Sequence, residues 1–153
     1  MPSTIEYQEF DKFYRDSNII IDERIQNFFD SLEDELKTWT DGWIDKDNHR
    51  KIGHKVDGGV IAILDNRVMG ICYFWNLKYY YACGIVVKKE YQNKNIGKAL
   101  LQAGIDWCRK KGIKKIISSV LVNNYSSIAS FIKTDWKIKG YESIYRFERN
   151  LNE

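Results

Sequence analysis

The chain has 153 residues, a formal net charge of +3, 44% hydrophobic and 29% charged residues, and a single proline. That length suits one domain, residues 1–153, with a core of its own, and the composition excludes a disordered chain or one with a membrane span. So small a charge makes no demand for a nucleic-acid partner. Residues 1–10 carry Glu6 and Glu9 and no basic start ahead of an apolar stretch, so they do not read as a secretory signal and a cytoplasmic location is expected.

In chain order, residues 5–10 read as a first strand, and Ile25, Phe28, Phe29, Leu32, Leu36 and Trp39 then repeat at helical spacing across residues 23–38. Periodicity disappears over residues 40–58, where Asp, Lys, Asn, His and Gly accumulate, which predicts a long surface loop of the sort that forms a binding wall. Strand-like runs at residues 59–64 and 68–75 flank Asp65-Asn66-Arg67 and predict an antiparallel hairpin. Residues 79–87, rich in aromatic and β-branched side chains, add the next strand.

Residues 92–99 join that strand to a helix whose Ile96, Ala99, Leu100, Ala103, Trp107 and Cys108 form one apolar face and which Gly112 stops. A helix start has N–H groups without intrahelical partners and roughly half a positive charge, so this corner suits an anion such as a pyrophosphate. A connection that merely packs is the competing reading. Further on, residues 113–122 read as a strand, 126–133 as a short helix, and 136–151 as one bent strand or a hairpin around Gly140. The order is mixed α/β, without repeats.

Cys72, Cys83 and Cys108 are odd in number, widely spaced and set in apolar segments, so they read as buried thiols, and no metal site is expected. Lys88, Lys89, Lys94, Lys98, Lys110, Lys111, Lys114 and Lys115 concentrate around the candidate anion corner. Such a cluster is either a solvated face or a bracket for a small polyphosphate; nucleic acid is a third reading.

At this point the residues resemble the GNAT superfamily of acyl-CoA-dependent N-acyltransferases, whose strand-turn-helix reads Val-x-Pro-x-Tyr-Arg/Gln-Gly-x-Gly-x-Gly. Here it is Val87-Lys88-Lys89-Glu90-Tyr91-Gln92-Asn93-Lys94-Asn95-Ile96-Gly97. Asn93 and Asn95 replace two glycines, and asparagine tolerates left-handed backbone angles better than nearly any other residue with a side chain. A second block, Asn-x-x-Ala-x-x-x-Tyr-x-x-x-Gly-Phe in the family, is matched in spacing by Asn124, Ser127, Phe131, Asp135 and Trp136, with only Asn124 identical. The resemblance covers roughly residues 59–150.

What the resemblance implies is a mixed, mostly antiparallel twisted α/β (α+β) sheet flanked by helices, with the cofactor turn between the fourth strand and the following helix. It also implies acetyl-CoA as co-substrate. The pyrophosphate would rest on main-chain N–H groups of Gln92, Asn93, Lys94, Asn95, Ile96, Gly97 and Lys98. The pantetheine would pair with Ile85, Val86 and Val87, and Asn124 and Ser127 would be polar contacts near the cofactor arm, with a plain helix-cap role as the alternative. A bulky residue at Gly97 is expected to obstruct the phosphates before it unfolds the domain.

The implied reaction is direct attack by a neutral amine on the thioester, its oxyanion held by strand N–H groups near Val86 and Val87. Many relatives protonate the departing thiolate with a tyrosine, and the matching position is Phe131, so Tyr125 is the catalytic candidate, with packing as its competing role. No carboxylate occupies the strand stretch Tyr79, Tyr80, Tyr81 and Cys83, and deprotonation through water is expected. Glu90 reads as solvated rather than catalytic, and His49 and His54 fall in the loop at 40–58 with no partner identifiable from the sequence. Glu33, Asp34, Glu35, Asp41, Asp45 and Asp47 hint at a cationic acceptor or are simply surface charge. Trp39, Trp43, Trp75 and the tyrosine run either line a pocket or belong to the core. The expected acceptor is a small-molecule or peptide amine, the expected assembly a monomer or homodimer, and the rival function a catalytically weak CoA-binding regulatory module.

Overall fold

Three antiparallel pairings build the first half of the sheet: β1 (Glu6–Tyr14), β2 (Lys55–Leu64), β3 (Arg67–Asn76) and β4 (Tyr81–Val87) lie side by side in that order. Then comes α1 (Ile96–Lys110), after a single 3-10 turn at Lys89–Tyr91, and β5 (Lys115–Leu121) returns parallel to β4. The chain finishes with α2 (Tyr125–Lys133), β6 (Lys137–Tyr141) and β7 (Ile144–Asn150), and the sheet order is β1-β2-β3-β4-β5-β7-β6. The computed structural model describes residues 4–14, 23–25, 27, 28, 31, 55–77, 79–92, 94–121, 125–141 and 144–151. The mixed, mostly antiparallel sheet flanked by helices is the one expected, with the turn after the fourth strand.

Strand alternation divides the core between the two sheet faces. Val60, Ala62, Met69, Cys72 and Phe74 face α1, whereas Ile61, Ile63, Val68, Ile71 and Tyr73 face the buried helical residues Ile25 and Phe28. On the α1 side, Trp107 stacks on Phe74 with ring centroids 5.4 Å apart. Gly104 lets the helix come this close, because a Cβ there would fall 2.8 Å from Cys72 Sγ and 3.0 Å from Phe74 Cζ. Among the described residues no helix is long and apolar enough to cross a membrane.

The local signals hold where they depend on neighbouring residues alone. Asp65 and Asn66, at φ 50° and 63°, make the two-residue hairpin turn. Gly112, at φ 74°, ends α1 with its N–H on Arg109 O (3.1 Å) and that of Ile113 on Cys108 O (3.0 Å), the paired closure of a left-handed helix stop. Asp135 ends α2 in the same way at φ 67°, with Trp136 N–H on Phe131 O at 3.1 Å.

Three boundaries differ from expectation. β2 starts at Lys55, inside the segment read as loop, since Gly58 and Gly59 mask a strand: a Cβ on Gly58 would meet the Trp107 ring at 2.3 Å. Tyr79 and Tyr80 belong to a turn closed by Leu77 N–H on Tyr80 O (2.8 Å), with Tyr79 81% exposed. The last two strands are an antiparallel pair, β6 ending at Tyr141 and β7 starting at Ile144, and Gly140 lies within β6 beside a register irregularity. The remainder of the expected first helix and most of the loop at 40–58 lie outside the described residues.

All three cysteines are free and buried, with Cys72 Sγ 3.8 Å from Cys83 Sγ. Burial is the main cause holding the Cys83 and Cys108 thiols well above the usual thiol range. A raised native pKa stabilises the fold below the ordinary thiol value, and that contribution is lost as pH rises because the unfolded chain sheds its protons first. Urea unfolding is therefore expected to be insensitive to pH near neutrality and to weaken above about pH 9, less steeply in Cys108→Ala. Gly104→Val is expected to cost about 1–3 kcal/mol by overpacking against Cys72 and Phe74, read as a lower urea midpoint with the slope unchanged.

Candidate functional site

The site begins where two strands part. β4 and β5 are paired in parallel only at Tyr81↔Ile116 and Ala82↔Ile117, and beyond that no described strand pairs with β4 on this side. Ala82 and Cys83 are buried, but Gly84, Ile85, Val86 and Val87 are each half-buried although β4 is central in the sheet. A wedge thus opens in the middle of the fold.

The direction of the main-chain groups along this wedge follows from hydrogen-bond phase. Lys88 N–H donates to Met69 O at 2.9 Å, and an antiparallel ladder bonds alternate residues, so Ala82, Gly84 and Val86 turn their N–H and C=O toward β3. Cys83, Ile85 and Val87 therefore face β5. Two side-chain contacts agree: Ser118 Oγ donates to Cys83 O at 2.8 Å, and Gln92 Nε2 donates to Val87 O at 3.0 Å. The Ile85 amide and carbonyl and the Val87 amide are left toward the opening, whereas Val86 is engaged with β3.

The second part of the site is the start of α1. Its cap residue Asn95 has φ 63° and ψ 11°, the left-handed conformation expected of the asparagine that stands for a glycine, and no side chain caps the helix. Ala99 N–H on Asn95 O (3.1 Å) is the first intrahelical bond, so the N–H groups of Ile96, Gly97 and Lys98 have no intrahelical acceptor. The first turn contains no acidic residue, and the exposed Lys94 and Lys98 flank it. The combined arrangement offers strand amides along a slot and helix amides with positive potential at its mouth.

β4, the turn and α1 bring together Ile85, Val86, Val87, Gln92, Lys94, Asn95, Ile96, Gly97 and Lys98. Tyr125 and Ser127 lie in the first turn of α2, with side chains outside the described residues; Asn93 and Asn124 lie outside them altogether. Gly97 has a structural role not anticipated: a Cβ there would lie 3.2 Å from Ser130 Oγ and 3.9 Å from Val87 Cγ2, so bulk at this position pushes on α2 as well as on any ligand. Phe131, at the family's tyrosine position, is fully buried between Trp136 (4.8 Å, edge-on) and Phe147 (4.9 Å, stacked).

The other candidates separate. Glu90 is exposed in the 3-10 turn. His49, His54, Trp39, Trp43 and the six acidic residues at positions 33–47 lie outside the described residues. Trp75 stacks on Tyr73 at 5.6 Å on the face opposite α1, whereas Tyr81 packs against the α1-side core. The lysines do not form one face: Lys110 pairs with Glu9 at 2.8 Å and Lys111 with Asp11 at 3.1 Å, at the end of α1 away from Lys94 and Lys98.

Sequence reasoning passed over Ser118 and Tyr73. Ser118 had a signal, since Ser118-Ser119 interrupts an otherwise apolar strand. Tyr73 had none, standing among the apolar residues of β3. Burial first, then the neighbouring Cys83 and Cys72 thiols, holds its phenol well above the ordinary value.

Residues 21–133 match the model of the acetyltransferase (GNAT) family. No curated protein matches the chain by sequence. Among solved structures, the PaiA N-acetyltransferase of Thermoplasma acidophilum in complex with coenzyme A is 17% identical, covers 96% of this chain and 99% of its own, and superposes with a TM-score of 0.69. YncA of Salmonella typhimurium, solved with its cofactor acetyl-CoA, is 16% identical over 100% of this chain and 96% of its own, at 0.69. A domain from Methanocaldococcus jannaschii is 21% identical over 97% and 99%, at 0.70. Identities at this level speak for the fold, and the family assignment rests on the matched residues: the chain belongs to the GNAT acetyltransferase family.

Proposed function

We propose that the protein is an N-acetyltransferase that moves an acetyl group from acetyl-CoA to a primary amine of a small molecule or peptide. The observation that carries this reading is the wedge between β4 and β5 running into an uncapped helix start. Its dimensions of chemistry fit the ligand: an amide-bearing arm can add to the Ile85 and Val87 main chain as a strand would, and a diphosphate can accept from the N–H groups of Ile96, Gly97 and Lys98. Lys94 and Lys98 supply charge beside it, with Asn93, Asn124 and Ser127 as further polar contacts. The Ile85 and Val87 amides are the donors that face the place where an oxyanion would form, in preference to Val86.

Bound there, acetyl-CoA supplies an activated acyl group, and the chain's task is to hold the carbonyl against a strand amide while excluding water. A neutral amine then attacks the carbonyl directly, with water accepting its proton, and no covalent enzyme intermediate is required. Tyr125 remains a candidate donor to the leaving sulfur. A second reading, a catalytically weak CoA-binding regulatory module, is favoured by one observation: the family's tyrosine position is the fully buried Phe131.

Thermal unfolding with acetyl-CoA, CoA and ATP tests binding. A ligand at a hundred times its Kd adds about 2.7 kcal/mol, a rise of roughly 5–10 °C in Tm for a domain of this size. Acetyl-CoA and CoA should give this rise and ATP much less; no rise with either thioester or thiol contradicts the reading. Release of CoA thiol across a panel of polyamines, amino acids and peptide N-termini should accompany binding, whereas binding without release on any acceptor supports the regulatory module. Asn95→Gly should preserve CoA affinity measured by calorimetry. Asn95→Val should weaken it about tenfold, because a β-branched residue in the left-handed conformation costs about 1–2 kcal/mol or more.

A further inference from the structure

Resting on the acetyl-transfer reading above, we propose that the Tyr73 hydroxyl is the group that hands a proton to the departing sulfur at the β4–β5 opening. Tyr73 stands directly opposite Gly84 in the register of β3 and β4. Its ring lies across β4: a Cβ built on Gly84 would fall 2.3 Å from Tyr73 Cζ and 2.6 Å from the hydroxyl oxygen. The glycine is what admits the ring. A tyrosine side chain is longer than the spacing of about 4.8 Å between strands, so its hydroxyl reaches over β4 toward the edge that faces β5.

That edge is the apex of the wedge. Gly84 follows Cys83, whose carbonyl is tied to β5 through Ser118, and precedes Ile85, the first residue with both main-chain groups turned to the opening. Tyr73 approaches from the face opposite α1. The α1 face carries the helix start where the phosphates would rest, so the Tyr73 face is the one left for an incoming amine. The stack on Trp75 fixes the ring, and Tyr73 is only 7% exposed. Its phenol, held above the ordinary value, keeps its proton at neutral pH.

The step balances without any other reactant. The amine nitrogen bonds to the carbonyl carbon, the C–S bond breaks, and its electron pair goes to sulfur. The phenol proton moves to that sulfur to give the CoA thiol, and the phenolate takes up, from the water that receives it, the proton that the acylated nitrogen must lose. One proton has passed from nitrogen to sulfur through Tyr73, which ends unchanged. This supplies the role that Phe131, sealed between Trp136 and Phe147, has no proton to perform.

Tyr73→Phe keeps the ring over Gly84 and its stack on Trp75 while deleting the hydroxyl. With the best amine of the panel, its turnover should fall about a hundredfold, with acetyl-CoA affinity by calorimetry unchanged. A second readout needs no turnover: in protein labelled with [13Cζ]tyrosine, the resonance missing from Tyr73→Phe should shift when CoA binds and stay in place when desulfo-CoA, which lacks only the sulfur, binds. Wild-type turnover in the variant, or a Tyr73 resonance that ignores CoA or answers both ligands equally, overturns the inference while the acetyl-transfer reading stands. Failure of the wild-type protein to bind either ligand sinks that reading, and this inference with it.

Discussion

Everything distinctive in this fold follows from one interruption: β5 stops pairing with β4 after Ala82. Main-chain amides taken from water without partners cost free energy on the order of a lost hydrogen bond each, so a wedge in the centre of a sheet is tolerated only where side chains or a ligand meet its edges. Both ends are met here. The Ser118 hydroxyl takes the Cys83 carbonyl at the apex, and the Gln92 amide takes the Val87 carbonyl at the mouth. Between them the main chain is left half-buried and directed at the gap.

The rest of the molecule holds that gap against a helix start. Gly104 brings α1 down onto Cys72 and Phe74, Gly97 brings α2 up to α1, and left-handed Asn95 turns the chain from the mouth of the wedge into the helix without a capping side chain. Positive potential is concentrated at the same end, where Lys94 and Lys98 are exposed, because Lys110 and Lys111 at the far end are matched by Glu9 and Asp11 of β1. α1 has 15 residues, which separates its ends by about 22 Å. The basic cluster of the sequence is thus two sites of different character, one neutralised and one facing the mouth. Exposed pairs such as these contribute little to stability, and their effect is on where charge is left over.

Legibility in the sequence tracked how local the cause was. The Asp65-Asn66 turn, the Gly112 stop and the apolar face of α1 are each set within a few residues, and each was readable. The family patterns carried further: Asn95 and Asp135 stand where relatives have glycines, and both adopt positive φ. What could not be read depends on residues distant in the chain. The start of β2 was hidden because Gly58 is small on account of Trp107, about a third of the chain away. The wedge is a property of pairing between strands, so neither β4 nor β5 announces it alone. Tyr73 looks like one more apolar strand residue until Gly84 is found beneath its ring. Phe131 was legible as a missing tyrosine, but not as a core residue clamped by two aromatic rings.

The most direct test of the central claim is a crystal structure of the protein grown with CoA. The account predicts pantetheine amides between β4 and β5, bonded to the Ile85 and Val87 main chain at about 3 Å, with the diphosphate at the N–H groups of Ile96, Gly97 and Lys98. A wedge closed by protein side chains, or CoA bound away from both the strand edge and the α1 start, would contradict it.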